Sequence, residues 1–244
     1  MLSKENTSTK MGTLKVVGVG NIGVMLEKFL SIDEIPIVAT TPTEPTYWKG
    51  TDVGFIVACA DEDNSWDNFQ KEIKAAREQN VITFPIFVSD KQPDVSDNIM
   101  VINPKHFSGN MEFYAYIGES IRSIQDFVSQ VGVVDLDLED LRALFSNNGH
   151  LAFLHYQYKA KTSKSIATQR AIQELATFGA SAHAAKFMIL NLEGSEENLN
   201  MFEVCELSEL IHTEFGNDKC NLIWGASIDN TIINNIHVSL WLSF

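Results

Sequence analysis

The chain has 244 residues, 45% of them hydrophobic, which is enough to bury one large core or two small ones. It carries 32 acidic against 18 basic side chains, a net charge of −14. A surface this acidic repels phosphate backbones and anionic lipid, so nucleic acid is not an expected partner. Cys59, Cys205 and Cys220 are widely spaced and form no CxxC, and the six histidines show neither HxxxH nor HExxH spacing. Neither a disulfide framework nor a metal site is expected, and the thiols fit a reducing compartment.

Residues 1–12 are polar and rich in Ser, Thr and Lys, and read as a flexible N-terminus rather than a signal peptide. No stretch reaches the ~18 apolar residues of a membrane helix, so membrane insertion is not expected and a cytoplasmic location is. Leu14 to Val19 is a short apolar run ending at Gly20, a buried strand. Val24 to Leu30 has apolar residues at helical spacing. Ile35 to Ala39 reads as a second strand, and Thr40 to Trp48, with two Pro and four Thr, as loop. Val53 to Ala60 is apolar throughout, as a parallel strand covered on both faces would be. After an acidic loop, Ser65 to Gln79 is predicted as a helix with Trp66, Phe69, Ile73 and Ala76 on one face and Ser65 as its N-cap. Val81 to Val88 and Ile99 to Ile102 read as strands. Alternating strands and helices imply a parallel sheet and an α/β layer to about residue 109.

Glu112 to Val131 reads as one helix about 30 Å long, with Phe113, Ile117, Ile121, Ile124 and Val128 as its apolar stripe. That stripe predicts burial between two halves of the molecule. The remainder predicts an α+β domain with a mixed sheet over 133–244. Its helices are expected at Leu138–Ser146, Ser163–Leu175 and Asn200–Phe215. Its strands are expected at Leu151–Tyr158, Lys186–Leu192, Asn221–Ile228 and Ile236–Leu242.

Two motifs carry chemistry. Gly18-Val19-Gly20-Asn21-Ile22-Gly23 fits GxGxxG between a strand and a helix, where glycines let backbone N–H groups approach a phosphate at a helix N-terminus. The acid that a dinucleotide fold places at the end of the next strand is missing from Ile35 to Thr40, and a tight turn alone also explains the pattern. Asp135 to Asp140 holds four carboxylates in six residues. Asp137 and Asp140, three apart, face the same way at a helix start. They suit orienting or deprotonating a water, or simply favouring the helix dipole.

Together these pieces resemble FtsZ, the bacterial relative of tubulin. Leu14 to Gly20 resembles its opening strand and glycine loop. Phe55 to Val88 follows its strand, phosphate loop, helix and next strand without a gap. Gly132-Val133-Val134-Asp135-Leu136-Asp137-Leu138-Glu139-Asp140 is similar to the family's G-L-I-N-x-D-F-x-D. Asn221-Leu222-Ile223-Trp224-Gly225-Ala226-Ser227-Ile228-Asp229 is similar to N-I-I-F-G-A-x-I-D. The resemblance runs from about Leu14 to Phe244. It implies a reduced nucleotide-binding-like domain over 13–109, a central helix over 110–132 and an FtsZ-like C-terminal domain.

The departures point away from autonomous GTP hydrolysis. The family's G-G-G-T-G-T-G stands here as Asp61-Glu62-Asp63-Asn64-Ser65-Trp66-Asp67, with every glycine gone and four acids in seven residues. The family's guanine-reading Phe and Asp are matched by Asn110 and Tyr114, its Pro-Asn-Asp-Arg segment by Asn103-Pro104-Lys105-His106, and its Asn beyond the first glycine loop by Met25. Chain is shortened between the first and third strands and between Val88 and Ile99. Asp137 and Asp140 are retained, with Asp135 in place of Asn. In the family this loop completes the pocket of the next subunit. The family's C-terminal tail is expected to be missing, since the sequence stops at Trp241-Leu242-Ser243-Phe244. The resemblance therefore implies an assembly or regulatory protein that acts with itself or with an intact FtsZ-like protein. Its Asp137 and Asp140 would act in trans, and Gly18, Gly20, Asn21 and Gly23 would form a degenerate nucleotide loop. No cofactor is expected on this reading. The alternatives are an unusual filament-forming GTPase using GTP with magnesium, and a small-ligand binder or enzyme reusing the old pocket.

Overall fold

The computed structural model describes residues 12–30, 37–40, 44–61, 63–91, 93, 98–129, 137–145, 149–160, 164–177, 180–215 and 219–244. The expectations for residues 1–11, for Ile35, Glu62 and Asp135, and for the end of the long helix past Ser129 lie outside them.

The elements follow in order: β1 (Leu14–Val19), α1 (Asn21–Phe29), β2 (Ile37–Thr40), β3 (Val53–Cys59), α2 (Ser65–Arg77), β4 (Ile82–Val88), β5 (Ile99–Ile102), α3 (Asn110–Ser129), α4 (Leu138–Leu144), β6 (His150–Lys159), α5 (Lys164–Thr177), β7 (Phe187–Gly194), α6 (Met201–Phe215), β8 (Asn221–Ile228) and β9 (Asn235–Ser243). Most ends fall within one or two residues of the sequence expectation. The expected loop before β3 contains a 3-10 turn, Pro45–Trp48. It seats Trp48 beneath α2, fully buried, where its indole N–H donates to the equally buried Glu72 carboxylate at 2.8 Å.

The strands form one nine-stranded sheet, ordered β2-β1-β3-β4-β5-β6-β9-β7-β8. Pairing from β2 to β6 is parallel; β6–β9 and β9–β7 are antiparallel, and β7–β8 is parallel again. The fold is α/β with a mostly parallel N-terminal part and a mixed C-terminal part. Among the described residues the two parts pair at Ile99–His150 and Met100–Leu151.

Strand alternation divides the core by sheet face. Val16, Phe55, Val57, Phe84 and Ile86 face α1, α3 and α4, meeting Leu26, Ile117, Ile121, Ile124, Leu141 and Leu144. Val17, Ile56, Ala58 and Phe87 face α2, meeting Phe69, Ile73 and Ala76. The α3 side continues into the second half through Phe153, Ile189 and Trp241, while Leu154, Leu190, Val238 and Leu240 cover the other face with α5 and α6. Ile117, Ile121 and Ile124 are 0% exposed, so α3 is buried against both halves as its stripe requires.

Candidate functional site

The strand C-termini of the parallel sheet form one edge. Adjacent strands β1 and β3 send α1 to one face and α2 to the other. This is a topological switch point, where open α/β sheets leave a crevice.

On the α1 side the glycines have distinct physical reasons. Gly20 caps α1 with φ 82° and ψ −152°, a backbone conformation that only glycine adopts readily. A Cβ on Gly18 would lie 2.2 Å from the Gly23 Cα, so a glycine at position 18 lets β1 and α1 touch. Gly23 N–H donates to Gly20 C=O at 3.1 Å, and Asn21 opens the helix on the surface. Close packing accounts for Gly18 and backbone conformation for Gly20, and the N-terminus of α1 carries no side-chain cap.

On the α2 side the structure corrects the N-cap. Asn64, in the left-handed region at φ 57°, occupies it without a side-chain cap bond. Ser65 is the first helical residue instead, and its buried hydroxyl has no hydrogen-bond partner among the described residues. Trp66 explains the shift: its ring packs edge-on against Phe87 at 4.8 Å, which ties the first turn to β4. Asp61, Asp63 and Asp67 stand exposed around this turn.

The same edge continues after β5. Lys105 Nζ lies 2.7 Å from Asp90 Oδ2. The hydrogen bond and charge of Lys105 hold the Asp90 carboxyl below the usual range, and Asp90, aided by Asp61, raises the Lys105 ammonium. Asn103 Oδ1 accepts from Lys105 N–H at 3.0 Å, while Asn110 lies exposed at the start of α3. Tyr114 is buried and stacks flat on Phe29 of α1, with centroids 4.7 Å apart and planes 6° apart. Phe113 meets Tyr114 and Phe107 edge-on. Met25, on α1, packs against the same core.

Asp137 and Asp140 lie elsewhere. Asp137 is the N-cap of α4. Its Oδ1 accepts from Glu139 N–H at 2.8 Å and Asp140 N–H at 2.9 Å, and Asp140 Oδ2 accepts from Asp137 N–H at 3.0 Å. This is a reciprocal capping box. The other end of α4 reaches the strand N-termini: Arg142 donates to Asn80 C=O before β4, and Asn98, before β5, donates to Phe145 C=O. Gly18–Gly23 and Asp137–Asp140 therefore sit at opposite edges of the sheet, separated by strands of seven residues, about 20 Å. Within one chain they do not share a site.

A third grouping escaped the sequence reading. A cleft of about 620 Å³ opens between α3 and the β6, β7 and β9 strands, and is lined by Glu119, Arg122, Ser123 and Asp126 on the helix side. Glu193 faces it from β7, pushed up to about 8 chiefly by burial, then by the charge and hydrogen bond of Asp126. Asn191 Nδ2 donates to Glu193 Oε1 at 2.9 Å. His155 and His237 stand edge to face at 5.7 Å, and burial lowers His155. The polar residues of α3, at spacings of three and four, were the available signal in the sequence. The histidines read as scattered because their strands are far apart in the chain and paired only by the fold.

No protein-family model matches the sequence. The mitochondrial division protein fszA of Dictyostelium discoideum is 25% identical over 158 residues, covering 61% of this chain, and the cell division protein FtsZ of Rickettsia bellii is 23% identical over 120 residues, covering 49%. The chain spans 30% and 26% of the lengths of these two relatives. An FtsZ dimer of M. jannaschii superposes with a TM-score of 0.72 at 14% identity, over 100% of this chain and 93% of that one. GDP-bound CetZ1 from Haloferax volcanii gives 0.62 at 12% identity, over 95% and 94%, and a TubZ-Bt filament gives 0.59 at 11%, over 91% and 65%. The molecule has the fold that FtsZ, CetZ and TubZ share, and part of its sequence is similar to FtsZ-type division proteins.

Proposed function

We propose that this chain is a cytoskeletal or cell-division-related assembly protein that works on a filament end rather than as an autonomous GTPase. One observation carries the reading: the glycine turn and the Asp137–Asp140 capping box lie on opposite edges of the sheet, so one chain cannot combine them. The edge with Asp137 and Asp140 keeps carboxylates at the surface, available to a neighbouring subunit. The other edge suits a guanine nucleotide poorly. Acidic side chains surround the α2 N-terminus, where a phosphate needs open backbone N–H groups and would meet charges of its own sign. Tyr114 is already stacked on Phe29 where the resemblance places a base-reading acid. Lys105 is already held by Asp90.

Such a subunit would dock its acidic edge onto the open nucleotide end of an intact relative in the cytoplasm. It would offer no equivalent end to the next subunit, whereas a heterologous contact repeated on both ends makes a ring or filament. The acids would then orient water toward the neighbour's nucleotide. Adding this protein in substoichiometric amount to an intact FtsZ-like protein, and following GTP turnover and sedimentation, tests this directly. Wild type is expected to change turnover or polymer mass, and Asp137→Ala with Asp140→Ala to lose the effect. No change with wild type rejects the proposal.

A second reading, a GTP-binding filament former, draws on the glycine turn between β1 and α1, which lies at the sheet's switch point. Titration with labelled GTP, with and without magnesium, separates the two. Sub-micromolar binding to the isolated chain supports the second, and its absence the first.

A further inference from the structure

The sheet face that packs on α3 changes character along its strands. Strands β6, β9, β7 and β8 are paired in register, so each rung sets side chains abreast on that face. On one rung Phe153, Trp241 and Ile189 enter the core with α3. Two residues along the strands, the same face carries His155, Ser239 and Asn191. Two further on, it carries His237, Glu193 and Ser227. A covered sheet face normally closes with apolar side chains. Here two polar rungs and the polar residues of α3 leave the cleft of about 620 Å³.

Some of these polar groups lie deep. Asn191, Ser227 and Ser239 are 3%, 7% and 7% exposed. Asn191 donates to Glu193, and Ser239 Oγ lies against His155 Nδ1. Ser227 differs: its hydroxyl has no hydrogen-bond partner among the described residues, and its register with Glu193 and His237 turns it into the cleft. A buried hydroxyl without a partner is costly unless something in the cleft bonds to it. The charges say of what kind. Glu119, Asp126, Glu193 and Asp229 line the cleft against one cation, Arg122, which Glu119 already engages at 2.5 Å. No lysine lines it among the described residues. Burial disfavours the ionised Glu193, a cost that a cation beside it would relieve. Among the described residues no three His, Cys, Asp or Glu side chains converge as metal ligands. Glu119 and Asp126, seven residues apart on α3, are separated by about 10 Å. Acceptors so dispersed suit an organic cation whose N–H donors are themselves spaced apart.

We propose that this cleft binds a small organic cation with two or more N–H donor groups, of which an aliphatic diamine is the simplest. Its ammonium groups pair with the Asp126, Glu193 and Asp229 carboxylates, and Ser227 Oγ accepts one of their N–H bonds. The site uses neither the glycine turn nor Asp137 and Asp140, so it stands independently of the filament-end reading.

Titration of the intact chain with putrescine, followed by amide and histidine-ring NMR in about 150 mM salt to screen diffuse attraction, tests the site. Saturable shifts confined to His155, His237, Ser227 and the facing turns of α3 are expected. Butylamine is expected to bind at least about tenfold more weakly, and butanediol not at all. Glu193→Gln and Asp229→Asn, each shown by its spectrum to be folded, are expected to weaken binding about tenfold or more. Glu209→Gln, exposed on α6, is expected to leave it unchanged. Absence of saturable shifts in wild type overturns the proposal. So do shifts spread over the acidic surface, butanediol binding as well as putrescine, or a loss in Glu209→Gln that matches Glu193→Gln. If neither cleft variant folds, the three probes on wild type decide alone.

Discussion

Two carboxylate pairs in this molecule have similar chemistry and opposite fates. Asp137 and Asp140 accept hydrogen bonds from backbone N–H groups at the start of α4, in reach of water. Asp126 and Glu193 line one cleft between α3 and β7, where burial first and the Asp126 carboxyl second push Glu193 up to about 8. The difference lies in the partner and the solvent, not in the residue type. Glu72 is a third case: it is fully buried, yet has a neutral donor in the Trp48 indole.

The largest expected effect tests that third case. Trp48→Phe keeps the aromatic volume and removes the indole donor to a buried carboxylate, so it should cost about 2–3 kcal/mol in urea unfolding. A cost below about 1 kcal/mol would mean that Glu72's remaining contacts suffice. Next comes the pH dependence of the buried pair. Glu193 is raised in the folded state, so the folded chain binds its proton more tightly than the unfolded chain does. Stability from this group is therefore present in acid and lost as pH rises toward about 8. Between pH 6.5 and 8 the loss should approach roughly 2 kcal/mol, at about 1.4 kcal/mol per unit. Glu193→Gln should flatten it. His155 acts at the other end: its charged form is disfavoured by burial, so stability falls as pH drops below the usual histidine range.

The exposed pair should respond less. Asp137→Ala removes the N-cap of α4 and should cost about 1 kcal/mol, equally at pH 6.5 and 8. The smallest effect is the most informative. Asp137→Asn caps as well as aspartate, so stability should change by less than about 0.5 kcal/mol. If the acid also acts on a neighbour's nucleotide, the same variant should lose its effect on an intact relative's GTP turnover. Retained effect with Asn would leave Asp137 as a helix cap.

The sequence by itself determined the elements and the face each one buries, because those follow from local periodicity. β3 announced itself as an apolar run, α2 as Phe69, Ile73 and Ala76, and α3 as Ile117, Ile121 and Ile124. The resemblance to FtsZ was legible in the segments around Asp135–Asp140 and Asn221–Asp229, because a short motif can be read without matching the rest of the chain. Tertiary structure alone decided what depends on contacts between distant residues. It moved the α2 cap to Asn64, because Trp66 docks on Phe87. It stacked Tyr114 on Phe29, 85 positions away in chain terms but 4.7 Å in space. It set the glycine loop and the Asp137–Asp140 turn on opposite edges, because strand direction and order are fixed by pairing rather than by any one segment. And it brought Asp126 to Glu193, since a carboxyl reveals its protonation only through what the fold places beside it.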